Sequence, residues 1–465
     1  MAGYFNLGEE KTRPGAYFNV QKRGVDASPG AVDGVVAVLF RSTFGPLGKA
    51  IEIDALDGYE SIFGTGGKTD ALKYAIQGGA TKLIAYRVGT GGTAATTTLV
   101  VGESGTLTIT AKYPGTMSFT VTVRPMLTDS TQKEVIFYSG TTELEKHSFT
   151  ASADEASACV AAINESSNFT AASSSTGVVA AVSQQAFTAG TDPTVTNSNN
   201  SSGLNEIEKY YFNAIIVDSE DTAIHALVAN FLTRIYSAGQ FAVAFFAELS
   251  SVALATRESH AAAYNSENVA YVLNASLETL EGNIDGYQTA AIVAGMYAGR
   301  SAATSLTHVV LSGVVALREI LTNSQMVAAE KSGCIVLSTN ASGQVWFDNA
   351  INTLISLDSE HDAGWKKLRR VKTRYELMYR ANSAADVMVG QVDNDANGRA
   401  AIANKIRAVI NSMVAEGKLV SGIAQVSERF VSDADFCYFD IYVIDKDSAE
   451  KIYLMYTFQY STNIE

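Results

Sequence analysis

Two short stretches carry residue types at spacings that could do chemistry. Ile62-Phe63-Gly64-Thr65-Gly66-Gly67-Lys68-Thr69 closes on Gly-Lys-Thr, the end of a phosphate-binding loop whose backbone amides wrap a β-phosphate. That loop needs glycine where Ile62 stands, and it should follow a buried strand. Gly58 to Phe63 instead reads as a short helix, so the plainer reading is a Gly-rich turn into the next helix. Asp393-Asn394-Asp395-Ala396-Asn397-Gly398 matches the first half of a calcium loop. Its twelfth position is Asn404 rather than a bidentate Glu, and the segment before it reads as a strand. Asp and Asn there serve the start of the following helix. His225, His260 and His308 have no acid or nucleophile at a telling spacing, and Glu360-His361-Asp362 reads as a solvated loop. No Gly-x-Ser-x-Gly elbow and no His-Glu-x-x-His pair occurs. The expectation is no catalytic, cofactor or metal site.

The chain that must position these groups has 465 residues, 47% apolar and 18% charged, with a net charge of −14. This is globular composition at two to four domains' length. The negative surface argues against a nucleic-acid partner. Cys159, Cys334 and Cys437 form neither a metal spacing nor a disulfide framework, which suits a reducing cytoplasm. No signal peptide is read at the start. The uncharged run from Ser301 to Leu317 is short for a membrane span and rich in hydroxyls, so it is read as a buried helix or strand pair.

Gly34 to Phe40 is a continuous apolar run, the mark of a strand buried on both faces. Thr81 to Val88 reads as a second strand, with a helix at Asp70 to Ile76 between them. From Gly89 the composition turns to Thr, Ser and Val, with short strands at Leu107–Ile109, Phe119–Val123 and Glu134–Tyr138, and a helix at Glu155–Asn164. Asn197 to Gly203 reads as a linker. Alternation of strand and helix then resumes: strands at Phe212–Val217, Phe241–Phe246 and Val269–Leu273, helices at Ala223–Ser237, Ser251–Tyr264 and Gln288–Ala303. The expected class is α/β plus α+β. Its parts are an arm (1–20), a central α/β sandwich (21–89 and 201–355), a mostly β inserted outer domain (90–200) and an α+β C-terminal domain (356–465) with exchanged terminal strands.

Between residues 365 and 380, seven bases (Lys366, Lys367, Arg369, Arg370, Lys372, Arg374, Arg380) face one acid, Glu376. With that window set aside from the 34 bases and 48 acids, the remainder carries −20. Leu368, Val371, Tyr375, Leu377 and Tyr379 interleave the bases, which suits docking onto an acidic protein; a solvated helix or strand face is the plain alternative. Gly398 to Glu416 is an amphipathic helix. The chain closes on two apolar, aromatic strands, Phe436–Ile444 and Ile452–Tyr460, joined by a hairpin turn at Asp445–Glu450. Both ends look unfinished in a monomer, and strand addition between copies would complete them. If each subunit gives an arm to the next, the contact is heterologous and propagates into a ring or helix.

Several of these residues resemble the tail sheath proteins of contractile bacteriophages and related injection systems. Arg13-Pro14-Gly15-Ala16-Tyr17-Phe18-Asn19 is similar to that family's N-terminal arm, Phe44-Gly45-Pro46 to its Gly-Pro turn, and Gly78-Gly79-Ala80 through Tyr86-Arg87-Val88 to the strand that follows. Lys112-Tyr113-Pro114-Gly115 resembles the entry to its outer domain, although Thr116-Met117-Ser118 stands where many relatives carry a base, Gly and Asn. Ala291–Gly299 with Ser305-Leu306-Thr307, and Gly390-Gln391-Val392-Asp393-Asn394 through Arg399, complete a collinear set of six.

The resemblance implies a non-enzymatic structural subunit, stacked as hexameric rings around a tail tube, with the baseplate and tail terminator as further partners. It places the protein in the virion tail after assembly in the host cytoplasm, with no nucleic acid bound and no membrane insertion. Arg13, Pro14, Gly15 and Tyr17 would belong to the linking arm, and Phe436, Tyr438, Ile441, Tyr442, Leu454, Tyr456 and Phe458 to the linking strands. Lys366, Lys367, Arg369, Arg370, Arg399, Lys405 and Arg407 are the tube-facing candidates. A different self-assembling shell or filament, or a nucleotide-driven motor using Gly67-Lys68-Thr69, stays open at this point.

Overall fold

A computed structural model describes residues 3–4, 17–18 and 33–458. Two short strands, β1 (Gly3–Tyr4) and β2 (Tyr17–Phe18), pair in parallel; Arg13, Pro14 and Gly15 lie outside the described residues. The central unit opens with β3 (Val35–Phe40), β4 (Ala50–Asp54), α1 (Glu60–Phe63), α2 (Asp70–Gly78) and β5 (Lys82–Arg87). Every residue of β3 is buried. Because strand side chains alternate, Val36, Val38 and Phe40 enter one core and Val35, Ala37 and Leu39 another.

The chain then builds β6 (Ala94–Val101), β7 (Gly105–Pro114), β8 (Thr120–Pro125), β9 (Gln132–Ser139), β10 (Thr142–Thr150), α3 (Ala156–Asn164), β11 (Phe169–Ser173) and β12 (Val182–Ala186). These form two antiparallel sheets, β10-β9-β8-β12 and β11-β7-β6. Their shared core stacks Phe137 on Phe169 at 4.0 Å, with Phe119 edge-on to Phe169 at 5.1 Å. Entry and exit run side by side, with bridges Thr90–Thr194 and Thr93–Thr191.

The expected linker at Asn197–Gly203 is instead the start of α4 (Asn197–Ile207). Thr196 and Asn199 form a reciprocal capping box that satisfies the first amides, and Leu204 and Ile207 bury into the second core. Next come β13 (Ala214–Val217), α5 (Thr222–Ser237), β14 (Val243–Ala247), α6 (Leu254–Tyr264), β15 (Val269–Val272), β16 (Leu277–Thr279), β17 (Gly282–Ile284), α7 (Tyr287–Gly299), β18 (Val314–Leu317), α8 (Asn323–Lys331), β19 (Cys334–Ile335), β20 (Leu337–Thr339) and β21 (Val345–Phe347). The Ser301–Leu317 run is mostly irregular and ends in β18, not the helix or strand pair expected.

The seven-stranded sheet has the order β19-β15-β14-β13-β3-β5-β4, parallel except for β4. One face is covered by α2 and α7, the other by α4 and α5. The two helices α2 and α7 touch backbone to backbone. A Cβ on Gly78 would strike the Ile292 carbonyl, and one on Gly295 the Ala75 carbonyl. That contact is why α7 is built of small residues.

The last unit comprises α9 (Leu368–Asp386), α10 (Ala396–Ala415), β22 (Leu419–Val426) and β23 (Phe439–Asp445). The segment before Asp393 follows a helix, so the strand expected there is absent. Strands β22 and β23 pair antiparallel, with Ile423 opposite Tyr442, and pack on α9 and α10 through Leu377, Ile406, Ile410, Met413 and Ala424. Among the described residues, which end at Phe458, the hairpin expected between Phe436–Ile444 and Ile452–Tyr460 does not form. β23 takes β22 as its partner, and residues 451–458 carry no secondary structure and are exposed.

Candidate assembly surface

The basic segment at the start of α9 finds its acids within the chain. The Arg370 guanidinium spans both carboxylate oxygens of Asp445, Nε at 2.8 Å and Nη2 at 2.5 Å. Arg374 adds Nε at 2.9 Å to Asp445 and also holds Asp362. Lys367 pairs with Asp447 at 2.8 Å and Glu450 at 3.1 Å. Arg369 donates to Ser448 Oγ at 2.6 Å and the Ala303 carbonyl at 2.7 Å, and Lys366 to the Ile355 carbonyl at 2.9 Å. Burial pushes the Asp445 carboxyl up, but Arg370 and Arg374 outweigh it and hold it below the ordinary range. Lys366, Lys367, Arg369 and Arg370 therefore all have partners within the chain. Lys367, Arg369 and Arg370 grip the chain's own residues 445–450, while Lys366 is held by the Ile355 carbonyl. Composition carries the signal for this match, with three acids in six residues answering the bases; the turn-like sequence masked it.

Lys372 and Arg380 serve packing. The Lys372 ammonium sits at the C-terminal end of α7, donating to the carbonyls of Tyr297 (2.8 Å), Ala298 (2.9 Å) and Arg300, and pairing with Asp33 at 3.0 Å. Arg380 lies between Glu376 and Glu416, each at 2.9 Å.

On α10, Arg407 is exposed and donates to the Ala424 carbonyl at 2.7 Å and Asn404 at 2.9 Å. Lys405 is half-buried, as is Arg399, whose Nε meets Asn394 at 2.7 Å. Asp395 accepts the Gly398 amide at 2.7 Å as helix cap, and Asn394 reaches the Ala434 and Phe436 carbonyls. Among the described residues no group of three His, Cys, Asp or Glu side chains is placed to hold a metal ion.

Among the described residues the β22–β23 hairpin leaves one edge of each strand without a ladder partner. Its surface exposes Val420, Ile423, Ile441, Tyr442 and Ile444, with Phe436 and Tyr438 just before β23. Beyond the grip on residues 445–450, Leu454 is 68% exposed, Tyr456 74% and Phe458 92%. Open strand edges beside an exposed apolar tail of the same chain invite pairing with another copy.

The Gly67-Lys68-Thr69 stretch falls where sheet order reverses, beyond the carboxyl ends of β3 and β13, the usual ligand crevice of such sheets. The chain fills that crevice itself. The Arg41 amide and Nε bind Asp218 at 2.6 and 2.9 Å. Lys68 Nζ lies 4.1 Å from the Tyr287 ring centre, and Tyr287 donates to Asp70 at 2.8 Å. Asp70 thus sets a carboxylate in the first turn of α2, where a phosphate would need the amides. Burial raises both the Asp218 and Glu220 carboxyls.

Two models of known domains match end to end. Residues 90–192 match the phage tail sheath protein beta-sandwich domain, and residues 193–353 the phage tail sheath protein central domain. The chain belongs to the phage tail sheath family. Crystal structures of sheath tail proteins share its fold. That of Desulfitobacterium hafniense is 21% identical, with a TM-score of 0.70 over 93% of this chain and 100% of that one. The Listeria innocua protein is 20% identical, with a TM-score of 0.66 over 90% and 96%. The helical sheath of the anti-feeding prophage in its contracted state aligns with a TM-score of 0.57 at 13% identity, over 96% and 99%. An uncharacterized Bacillus subtilis protein, YqbK, is 24% identical over 392 residues, 80% of the sheath chain and 79% of its own. The sheath chain is a mixed α/β multidomain protein, and no helix among its described residues is long and apolar enough to cross a membrane.

Proposed function

We propose that this sheath protein polymerises as stacked hexameric rings around a tail tube and contracts to drive the tube through a host envelope. The observation that carries the reading is the pairing of an open two-stranded sheet with an exposed aromatic tail in one chain. Leu454, Tyr456 and Phe458 of one subunit would add as a strand beside Phe436, Tyr438, Ile441 and Tyr442 of a neighbour. The segment containing Arg13, Pro14, Gly15 and Tyr17 would supply a second linking strand. Such contacts are heterologous and propagate, and the ladder bonds would hold while the remaining domains slide. The outer β unit would project away from the tube. Lys366, Lys367, Arg369 and Arg370 at the start of α9 and Arg399, Lys405 and Arg407 on α10 are the tube-facing candidates, the α10 set lying outside the contacts that hold residues 445–450. Baseplate and terminator proteins would close the two ends, with assembly in the host cytoplasm and the finished sheath in the virion tail. No catalytic step is part of this reading.

Negative-stain microscopy of the full chain and of a chain ending at Glu450 tests it. The full chain should form striated hollow tubes or six-fold rings, while the shortened chain should keep its circular dichroism and form neither. Normal polymerisation of the shortened chain would refute strand exchange through the C-terminal tail. Tubes that fail to co-assemble with a tail tube would favour a different shell or filament protein.

A further inference from the structure

The β23 segment and the sequence after it are complementary to each other. Phe436–Ile444 and Ile452–Tyr460 are both apolar and aromatic, and only a short polar stretch separates them. Closing a loop that short costs little entropy. A tethered strand meets its neighbour at an effective concentration near the millimolar range. A second subunit at micromolar concentration competes at a disadvantage on the order of a thousandfold. Left to local pairing, the tail would fold back onto β23 and cap the edge that strand exchange needs.

It does not fold back. Among the described residues β23 pairs only with β22, and residues 451–458 make no ladder. The residues that would form the turn are held by side chains at the start of α9 and in the 303–307 segment. Asp445 is taken by Arg370 and Arg374, Asp447 by Lys367, and Ser448 by Arg369. Glu450 is taken by Lys367 and, at 3.3 Å each, by the hydroxyls of Ser305 and Thr307. The path therefore continues from β23 across the start of α9 to the 303–307 segment of the central unit, directing the tail away from its own strand.

We propose that this ion-pair clamp is a guard against self-capping: it holds the tail of each unassembled subunit off its own β23 edge, so that the edge stays open to another copy. The inference rests on the strand-exchange reading above and adds to it what prevents the cheaper intramolecular product.

The test uses the full chain below its assembly concentration. A nitroxide is placed on Cys437, since Cys159 and Cys334 are buried, and a second on Phe458→Cys. A fold-back hairpin would bring these positions onto neighbouring strands, about 5 Å apart in backbone. Wild-type clamp residues should give little dipolar broadening. Asp447→Lys with Glu450→Lys should give strong broadening and raise the concentration needed for tubes at least tenfold. Adding Lys367→Glu to that pair should reverse both effects, which a merely misfolded variant would not do.

Unchanged broadening in the Asp447→Lys/Glu450→Lys variant overturns the clamp inference. If the chain ending at Glu450 assembles normally, strand exchange itself falls. If that chain fails to assemble while the clamp variants assemble like wild type, the guard alone falls.

Discussion

Replacing Lys372 with methionine removes the charge that ties the C-terminal unit to the central one. The side chain is buried, and its ammonium serves three carbonyls at the end of α7 together with Asp33. Burial pulls the Lys372 pKa down, and Asp33 only partly restores it, so ionisation there is itself costly. Replacing both partners of a buried pair by apolar groups is often neutral, but here the partners are backbone carbonyls that no substitution can remove. Methionine keeps most of the volume and avoids the desolvation cost. The Tyr297 and Arg300 carbonyls left without this donor, the lost charge at the helix terminus and the stranded Asp33 leave a net loss of about 3 kcal/mol. Urea unfolding followed by the fluorescence of Trp365, which packs near Tyr375 at 6.1 Å, should show that loss. The Gly34 amide, which donates to the Ala298 carbonyl at 2.8 Å, should exchange faster. Exposed Lys331→Met serves as control, with a change within about 0.5 kcal/mol. A loss below about 1 kcal/mol with unchanged exchange at Gly34 would refute the reasoning.

Two further perturbations test the central unit. His225 is buried, stacks on Phe246 at 4.3 Å and donates one hydrogen bond to the Ser219 carbonyl at 2.7 Å. Burial pushes its pKa down to about 4. The unfolded chain therefore takes up the proton first as pH falls, and stability is lost between about pH 6.5 and 4, amounting to about 2 kcal/mol by pH 5. Thermal unfolding of His225→Phe should lack that share of the acid sensitivity, and an equal loss in both proteins would assign it elsewhere. Gly295→Ala should cost about 3 kcal/mol, because its Cβ meets the Ala75 backbone carbonyl and the α2–α7 contact must part. A melting temperature within a degree of wild type would show that the two helices separate freely.

The features legible in the sequence are those set by neighbouring residues. The unbroken apolar run of β3 announced a strand buried on both faces, and the small residues of α7 announced a tightly packed helix. The Asn-Ser-rich stretch at 197 looked like a linker because composition outweighed its cap. Thr196 with Asn199 is a start signal, and Leu204 and Ile207 supply the buried face. The C-terminal sheet was misread for a different reason. β23 had two apolar partners available in sequence, and the structure uses the one that precedes it, since β22 brings Leu419 and Ala424 onto the α10 core. The basic segment was visible as a charge anomaly, yet its partners stand about 75 residues away, and no local pattern says whether such a charge is met in cis or by another protein.

Helix α9 joins two cores that could have been separated by a flexible hinge. Its first half, Leu368, Val371 and Tyr375, belongs to the central core, and its second half, Leu377, Ala381 and Ala384, to the core beneath the β22–β23 sheet. Thr373 and Tyr375 add hydrogen bonds to Ala302 and Asn268 of the central unit. At the changeover Glu376 and Glu416 bind Arg380 and Lys418. Glu416 is held down to about 2, its burial cost outweighed by Lys418, Ser412 and Arg380, so this joint keeps its charges at mildly acidic pH. A single helix packed along its whole length leaves no unpacked hinge between the sheet and the central unit. In a sleeve linked through its strand edges, as proposed, the freedom to rearrange would then lie in the exposed residues beyond Glu450. In that sleeve the clamp at 445–450 would set the boundary between the part that carries load and the part that is exchanged.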